Sequence, residues 1–505
     1  MLSIPLLGRL LILLVATTTN AAQRPNIVYL LADDLGYGDL SCLNKDSKIP
    51  TPNIDRLAAA GMTFTDAHSA SAVCTPTRYG ILTGRYPWRT RMKSGVLGGF
   101  SPPLIEPGRM TVASMLKAQG YHTAAFGKWH LGMNWPHVGP ATKGDPGANV
   151  DWSKPITGGP TSVGFDEYFG ISASLDMPPF IFIHNDHTVG LATARKKWVR
   201  QGAAAPDFEA VNVLPTITER TVEYIGRRAK AATPFFAYVP FSAPHAPIVP
   251  AKEFAGASNV SPYADFVRQV DASVGQILDA LEKNGLANDT LVMFASDNGF
   301  SPAGDLKLQL EHGHNPNYLF RGAKADIFEG GHHIPFIARW PGHVKPRSTS
   351  ADVVCLNDLM ATAAEITGAK LPDNAAEDSV SILPDLLGTA TKPVREATVH
   401  ASIDGSLSIR QGKWKLELCP GSGGWSSPKT PKELEGLPAV QLYDMTADIA
   451  ERRNVQSENT EVLDRLTTLL QTYIDRGRST PGAAQKNDTP TSLRTAKVRK
   501  PTDGD

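Results

Sequence analysis

Two doublets with oxygen-bearing side chains, one Asp-Asp and one Asp-Asn, stand behind strand-like apolar runs. Asp33-Asp34 follows Asn26–Leu31, and Asp297-Asn298 follows Leu291–Ala295 after one serine, Ser296. The four side chains offer only oxygen ligands, a set that suits hard cations such as calcium or magnesium better than zinc. Adjacent carboxylates repel unless a cation lies between them. Either doublet alone reads as a loop acid or a helix cap; two of them at strand ends predict one metal site. The same kind of position carries Lys128 and His130, after the run His122–Phe126, and His245, after Phe235–Val239. A further group sits in Cys74-Thr75-Pro76-Thr77-Arg78. A lone cysteine is usually a buried structural residue. Here Pro76 and the run after it suit a loop entering a helix, which places residue 74 beside unpaired N–H groups and a positive dipole end that favour an anion. Arg78, one turn on, points back at that spot.

These groups need a scaffold that gathers strand ends. The four apolar runs alternate with helical patterns over Ile54–Gly61, Thr111–Gly120, Thr216–Ala231 and Asp265–Asn284. That alternation predicts an α/β fold with a large mixed, mostly parallel sheet sandwiched by helices. Ligands of such sheets lie beyond the carboxyl ends of the strands. After about residue 395 the texture changes. Ala397–Ile403, Ser406–Arg410, Trp414–Leu418 and Val440–Asp444 are short strand-like runs, with a turn at Asp404-Gly405, and Glu461–Arg476 is helical. A small antiparallel sheet with a helix is expected there.

The chain has 505 residues, too many for one core, with 41% hydrophobic and 20% charged residues. Fifty basic residues balance fifty acidic ones, so no net charge argues for a nucleic-acid or membrane-surface partner. Residues 1–22 read as an export signal and nothing later as a stable membrane span, which predicts a secreted or periplasmic protein. The expected division is signal peptide 1–22, catalytic domain 23–395, C-terminal α+β subdomain 396–480 and a disordered, Thr-, Pro- and Lys-rich tail 481–505.

The chain resembles the formylglycine-dependent sulfatases of the alkaline phosphatase superfamily. The resemblance rests on Asp33-Asp34, on Cys74 through Arg85, on Gly127-Lys128-Trp129-His130-Leu131-Gly132, and on Pro244-His245. It continues at Ser296-Asp297-Asn298-Gly299, at Arg321-Gly322-Ala323-Lys324 and at Glu329-Gly330-Gly331. It implies that Cys74 is oxidised to formylglycine by a formylglycine-generating or other sulfatase-maturing enzyme. It also implies calcium, with magnesium as second choice, held by Asp33, Asp34, residue 74, Asp297 and Asn298. The implied catalytic set is Cys74, Arg78, Lys128, His130, His245 and Lys324, with His245 as general acid and His130 as base. Thr77 stands where the family often has Ser or Ala, and His333 where it often has Arg. The step His312-Gly313-His314 lies outside the shared motifs and is expected to be an exposed loop rather than a metal site.

The segment from Gly170 through Pro179 to His187 resembles segments of carbohydrate sulfatases acting on galactose or N-acetylgalactosamine. It nominates Asp176, His184, Asn185 and His187 as contacts to a sulfated glycan. The alternatives are a phosphoester or phosphonate monoester hydrolase of the same superfamily, and an inactive secreted glycan-binding homologue.

Overall fold

The computed structural model describes residues 24–493 apart from 141 and 143; the expected export segment lies outside the described residues. The apolar runs form strands of one ten-stranded sheet. In chain order these are β1 (Asn26–Ala32), β2 (Met62–Phe64), β3 (His122–Lys128), β4 (Glu167–Ile171), β5 (Ile183–His184), β6 (His187–Thr188), β7 (Phe235–Pro240), β8 (Thr290–Ser296), β9 (Phe336–Arg339) and β10 (Ser348–Ser350). Across the sheet the order is β10-β2-β9-β8-β1-β7-β3-β4-β5-β6. The five central strands, β8 to β4, run parallel, and both ends of the sheet carry antiparallel pairs. Strand β1 is buried along its whole length, as a central parallel strand covered on both faces must be.

Two apolar layers sandwich the sheet. Alternate residues of β1 divide between them: Ile27, Tyr29 and Leu31 face one core, Val28, Leu30 and Ala32 the other. The second layer is supplied by α1 (Pro52–Ala59), α4 (Val213–Arg228) and α5 (Pro262–Lys283). The first is supplied by α2 (Cys74–Thr83), α3 (Val112–Ala118) and α7 (Leu359–Thr367). The expected small sheet is present as β11 (Thr398–Ala401), β12 (Leu407–Gln411), β13 (Trp414–Glu417) and β14 (Gln441–Asp444), packed with α8 (Thr460–Asp475). A short helix, α6 (Glu329–His332), packs against this unit, with the Glu329 N–H donating to Glu451 at 2.8 Å and its carboxylate 3.0 Å from Lys415.

The small sheet is tied to the segments that flank the chemistry. The Ala72 N–H donates to the Ala401 carbonyl at 2.8 Å, the Ile403 N–H to Ala325 at 2.9 Å, and the Ile327 N–H to Ser422 at 2.7 Å. These contacts position the chain on either side of Cys74 and Lys324.

Residues 481–493 depart from the expectation of a disordered tail. Asp488 accepts two hydrogen bonds from the buried guanidinium of Arg85, both at 2.9 Å, and Asn487 accepts one from Arg89 at 2.9 Å. Low apolar content concealed a segment held by buried arginines. Arg89 also grips buried Asp378 through two N–H groups at 2.8 Å and lies over the Trp88 ring. Arg89→Met should therefore destabilise the fold by about 3–5 kcal/mol, since it leaves Asp378 buried and unpaired. Denaturant unfolding measures this; a loss under about 1 kcal/mol would show that the joint does not depend on the pair.

Candidate active site

Four parallel strands deliver their groups to one crevice at their carboxyl ends. Strand β1 ends in Asp33 and Asp34, β8 in Asp297 and Asn298, and β3 in Lys128 with His130 two residues on; His245 follows β7. The backbone locks these ends together: the Asp33 N–H donates to Ala243 at 3.0 Å, the Asp297 N–H to Ala32 at 3.1 Å, and the His130 N–H to Ser172 at 2.9 Å. Gly127 has a reason of its own, since a Cβ there would lie 1.9 Å from the Pro240 carbonyl oxygen. Asp34 and His130 hold positive φ, 69° and 57°, conformations that cost non-glycine residues about 1–3 kcal/mol and cluster at functional sites.

Cys74 is the first residue of α2, and the helix is buried throughout. No side chain caps that end, so the helix start keeps the anion-favouring N–H groups anticipated from the sequence. Thr77 takes up its departure from the usual Ser or Ala without disturbance, because its hydroxyl donates to the Ser71 carbonyl at 2.9 Å. Burial pushes the Cys74 thiol up to about 12, more than Lys128 and Lys324 offset. An unconverted Cys74 is thus a protonated, poorly nucleophilic thiol at neutral pH.

Around Cys74 three carboxylates face three cations. Lys128 Nζ donates to Asp33 at 2.7 Å, Lys324 Nζ lies 2.6 Å from an oxygen of Asp34, and Arg78 donates twice to one oxygen of Asp297, at 2.8 and 3.0 Å. Arg78 also reaches to 3.6 Å of Asp33. Burial alone would raise Asp33, but Lys128, His245, Arg78 and Lys324 outweigh it and hold this carboxyl far below the usual range. Asp297 is pushed up, first by burial and then by the charge of Asp33.

That crowding bears on whether a cation fits. Asp33, Asp34, Cys74 and His245 each place one ligand atom within 4.8 Å of the others. The Asn298 amide donates to Asp34 at 2.8 Å, while its buried Oδ1 has no hydrogen-bond partner. An orphaned amide oxygen beside three converging carboxylates is the donor set of a hard divalent ion. The residues present fit such an ion.

The two histidines differ. His130 is buried with Nε2 2.6 Å from the Leu97 carbonyl and Nδ1 3.5 Å from Ser174 Oγ. Burial, then Lys128 and Arg78, push it well below the ordinary histidine range, so it is a neutral base. His245 donates from Nδ1 to the Ala246 carbonyl at 2.6 Å and turns Nε2 to within 3.6 Å of Asp34.

Of the four nominated sugar contacts, only Asp176 reaches this crevice. One of its oxygens lies 3.9 Å from His245 Nδ1 and has no hydrogen-bond partner; the other accepts from Arg200 at 2.7 Å. Arg200 was not anticipated, since an arginine in a basic surface run carries no signal of its own. His184, Asn185 and His187 are not brought in. Strand β5 runs antiparallel to β4, so the turn after His184 sits toward the amino end of β4, away from the site. Asn185 there caps the Tyr168 N–H at 2.9 Å, and both histidines are exposed.

The His312–His314 step also needs correction. His312 is exposed, but His314 is fully buried, and its Nε2 lies 2.8 Å from Asp39. Asp39 also accepts from the Tyr263 hydroxyl, whose oxygen lies 3.1 Å from the Asp34 carbonyl. His314 therefore braces the loop behind Asp34. His333, standing where the family often has Arg, lies 2.7 Å from Glu329 and 2.9 Å from the Thr65 carbonyl, and stays out of the crevice.

Comparison with known proteins agrees with this geometry. The profile of the sulfatase family matches residues 25–369. An N-acetylgalactosamine-6-O-sulfatase of Bacteroides thetaiotaomicron is 35% identical over 496 residues, covering 90% of this chain and 94% of that protein. Human arylsulfatase A is 33% identical, over 91% of this chain and 90% of its own. A solved structure from Bacteroides thetaiotaomicron, described under the metabolism of multiple glycosaminoglycans, superposes with a TM-score of 0.78 at 33% identity, covering 89% of this chain and 99% of that one. Sulfate ester hydrolysis is thereby favoured over the phosphoester and binding-only alternatives, and the chain belongs to the formylglycine-dependent sulfatases of the alkaline phosphatase superfamily.

Proposed function

We propose that this sulfatase acts on a sulfated glycan of galactose or N-acetylgalactosamine type, with Cys74 converted to formylglycine by a separate maturing enzyme and calcium as its ion. The observation that carries this reading is the meeting of Cys74, Asp33, Asp34 and His245 within 4.8 Å at a helix start. The names of the relatives support the sugar class. The leading segment 1–22 supports export; among the described residues no helix is long and apolar enough to cross a membrane.

The ion, held by Asp33, Asp34, residue 74, Asp297 and Asn298, would add two positive charges to a balanced cluster and polarise the oxygens bound to it. The hydrated aldehyde supplies a nucleophilic oxygen and a second hydroxyl whose deprotonation frees the sulfate. The remaining roles fall to this chain's own side chains. Arg78, fixed by Asp297, holds the nucleophile in register with the substrate. Lys128 and Lys324, each anchored by a carboxylate, neutralise sulfate oxygens as charge shifts onto them. His245 supplies a proton to the departing sugar oxygen, and His130, kept neutral, takes a proton back. Asp176, with one free oxygen beside His245, accepts a hydrogen bond from a sugar hydroxyl.

Replacing Cys74 with Ala should abolish turnover with the fold intact, and mass spectrometry of the wild-type peptide should show the aldehyde. An alanine variant working at the wild-type rate would sink the mechanism. His245→Ala should slow cleavage of a sugar sulfate by about 10²–10⁴-fold and barely affect nitrophenyl sulfate, whose leaving group departs without a proton. Equal losses on both would remove His245 from the acid role. Asp176→Ala should lower kcat/KM on 6-sulfated N-acetylgalactosamine saccharides by about 10- to 100-fold and spare the aryl ester; no difference between the two would argue against the sugar contact.

A further inference from the structure

A second cluster of ligand-type side chains lies in the joint between the large and small sheets. His68 ends the short strand Ala67–His68, His332 ends α6, and His400 belongs to β11. All three are fully buried, and one ring nitrogen from each lies within 4.8 Å of the other two.

Their hydrogen bonds fix where the protons are. His68 Nε2 lies 2.7 Å from Asp66, whose carboxyl stays below the usual range despite burial because His68 and Arg410 stabilise its charge. A carboxylate only accepts, so this nitrogen carries the hydrogen. His332 Nε2 lies 3.0 Å from the Ile327 carbonyl and must donate for the same reason. Each neutral ring then has its lone pair on Nδ1, yet the two Nδ1 atoms face each other at 3.1 Å. Two lone pairs at that distance repel, and no donor stands between them. His400 adds to the mismatch. Its Nδ1 lies 3.0 Å from Ser408 Oγ, while its buried Nε2 has no partner.

Only an electrophile resolves this arrangement, either a proton or a metal ion. A proton shared between the two Nδ1 atoms would still leave the buried His400 Nε2 without a partner, whereas one metal ion can take a nitrogen from all three rings. Two nitrogens bound to one zinc at about 2.0–2.1 Å and a tetrahedral angle sit about 3.4 Å apart, close to the separation found. We propose that His68, His332 and His400 form a structural site for one borderline-soft divalent ion of the zinc type, distinct from the oxygen-lined catalytic site.

The surroundings match what such sites use. Asp66 and the Ile327 carbonyl hold the far nitrogens of two rings, the arrangement that orients imidazole ligands on a metal. Lys415 faces Glu329, Glu417 and Glu451 within 3.1 Å, one cation against three acids. The ring of His400 stacks on that of His332 with centroids 3.9 Å apart, so binding requires its ring to rotate and turn Nε2 toward the other two nitrogens. By contrast, His333 and Glu329 satisfy each other at 2.7 Å and lack that unpaired nitrogen. An ion here would join β11 of the small sheet to the segment leading into Cys74, and it would enter during folding because no ring is exposed.

The full chain, refolded with zinc and calcium and then dialysed against EDTA, should keep about one equivalent of zinc by elemental analysis and release it only on unfolding. Refolding with cobalt should give the visible absorption of a nitrogen-ligated tetrahedral ion. Cys74→Ala should retain the zinc, whereas His332→Gln and His400→Gln should lower it to under about a tenth. Wild-type protein that takes up no zinc on refolding overturns the proposal, as does zinc that survives in both histidine variants or leaves with Cys74. If the variants fail to fold, wild-type retention and the cobalt spectrum still decide.

Discussion

Like charges held together at the carboxyl edge of the central strands are the constraint on which the rest of this structure depends. Asp33, Asp34 and Asp297 are buried and would repel one another or take up protons without compensation. The protein offsets that repulsion with Lys128, Lys324 and Arg78, each on a different carboxylate. Each of those cations comes from a separate segment: the end of β3, the loop before α6, and the second turn of α2. Holding them in contact requires the whole sandwich, because no single supersecondary unit contains both partners of any pair. Electrostatics thereby links the strand ends, the helix carrying Cys74 and the joint to the small sheet.

The same balance explains why a thiol in this place does not ionise at neutral pH. Lys128 and Lys324 draw the Cys74 pKa down, yet full burial wins and lifts it to about 12. The positive groups surrounding it are committed to carboxylates, and the anion-favouring helix start has no thiolate to bind. Oxidation to an aldehyde replaces an acid that will not ionise with a carbonyl that water can add to. On the proposed function, the crevice suits an aldehyde at residue 74 better than the buried thiol.

Much of this could be read in the sequence, for identifiable reasons. Four of the five central strands and their helices were legible because buried parallel strands are continuous apolar runs and their helices keep an amphipathic period. Asp33-Asp34, Asp297-Asn298 and the residues following β3 and β7 were legible because fold geometry sends strand ends to one place. What failed was local reading of residues whose meaning is set by distant partners. His184 and Asn185 looked like sugar contacts until the antiparallel β4–β5 pairing turned them away. His314 looked exposed beside Gly313 until Asp39, 275 positions earlier, claimed its ring. Residues 487 and 488 looked like tail until Arg85 and Arg89 bound them.

The small sheet illustrates how such long-range contacts serve the crevice. Its strand β11 continues into the bonds at Ala401 and Ile403 that fix the chain before Cys74 and after Lys324. Any loosening of this joint would move Cys74 and Lys324 relative to the carboxylates after β1 and β8, and displacements of about 1 Å are enough to cost rate where reacting groups must be aligned. The buried arginines and histidines at the joint lie outside the crevice, but they fix the relative position of two of its walls. That is why so much ionic and imidazole chemistry is concentrated where no substrate reaches.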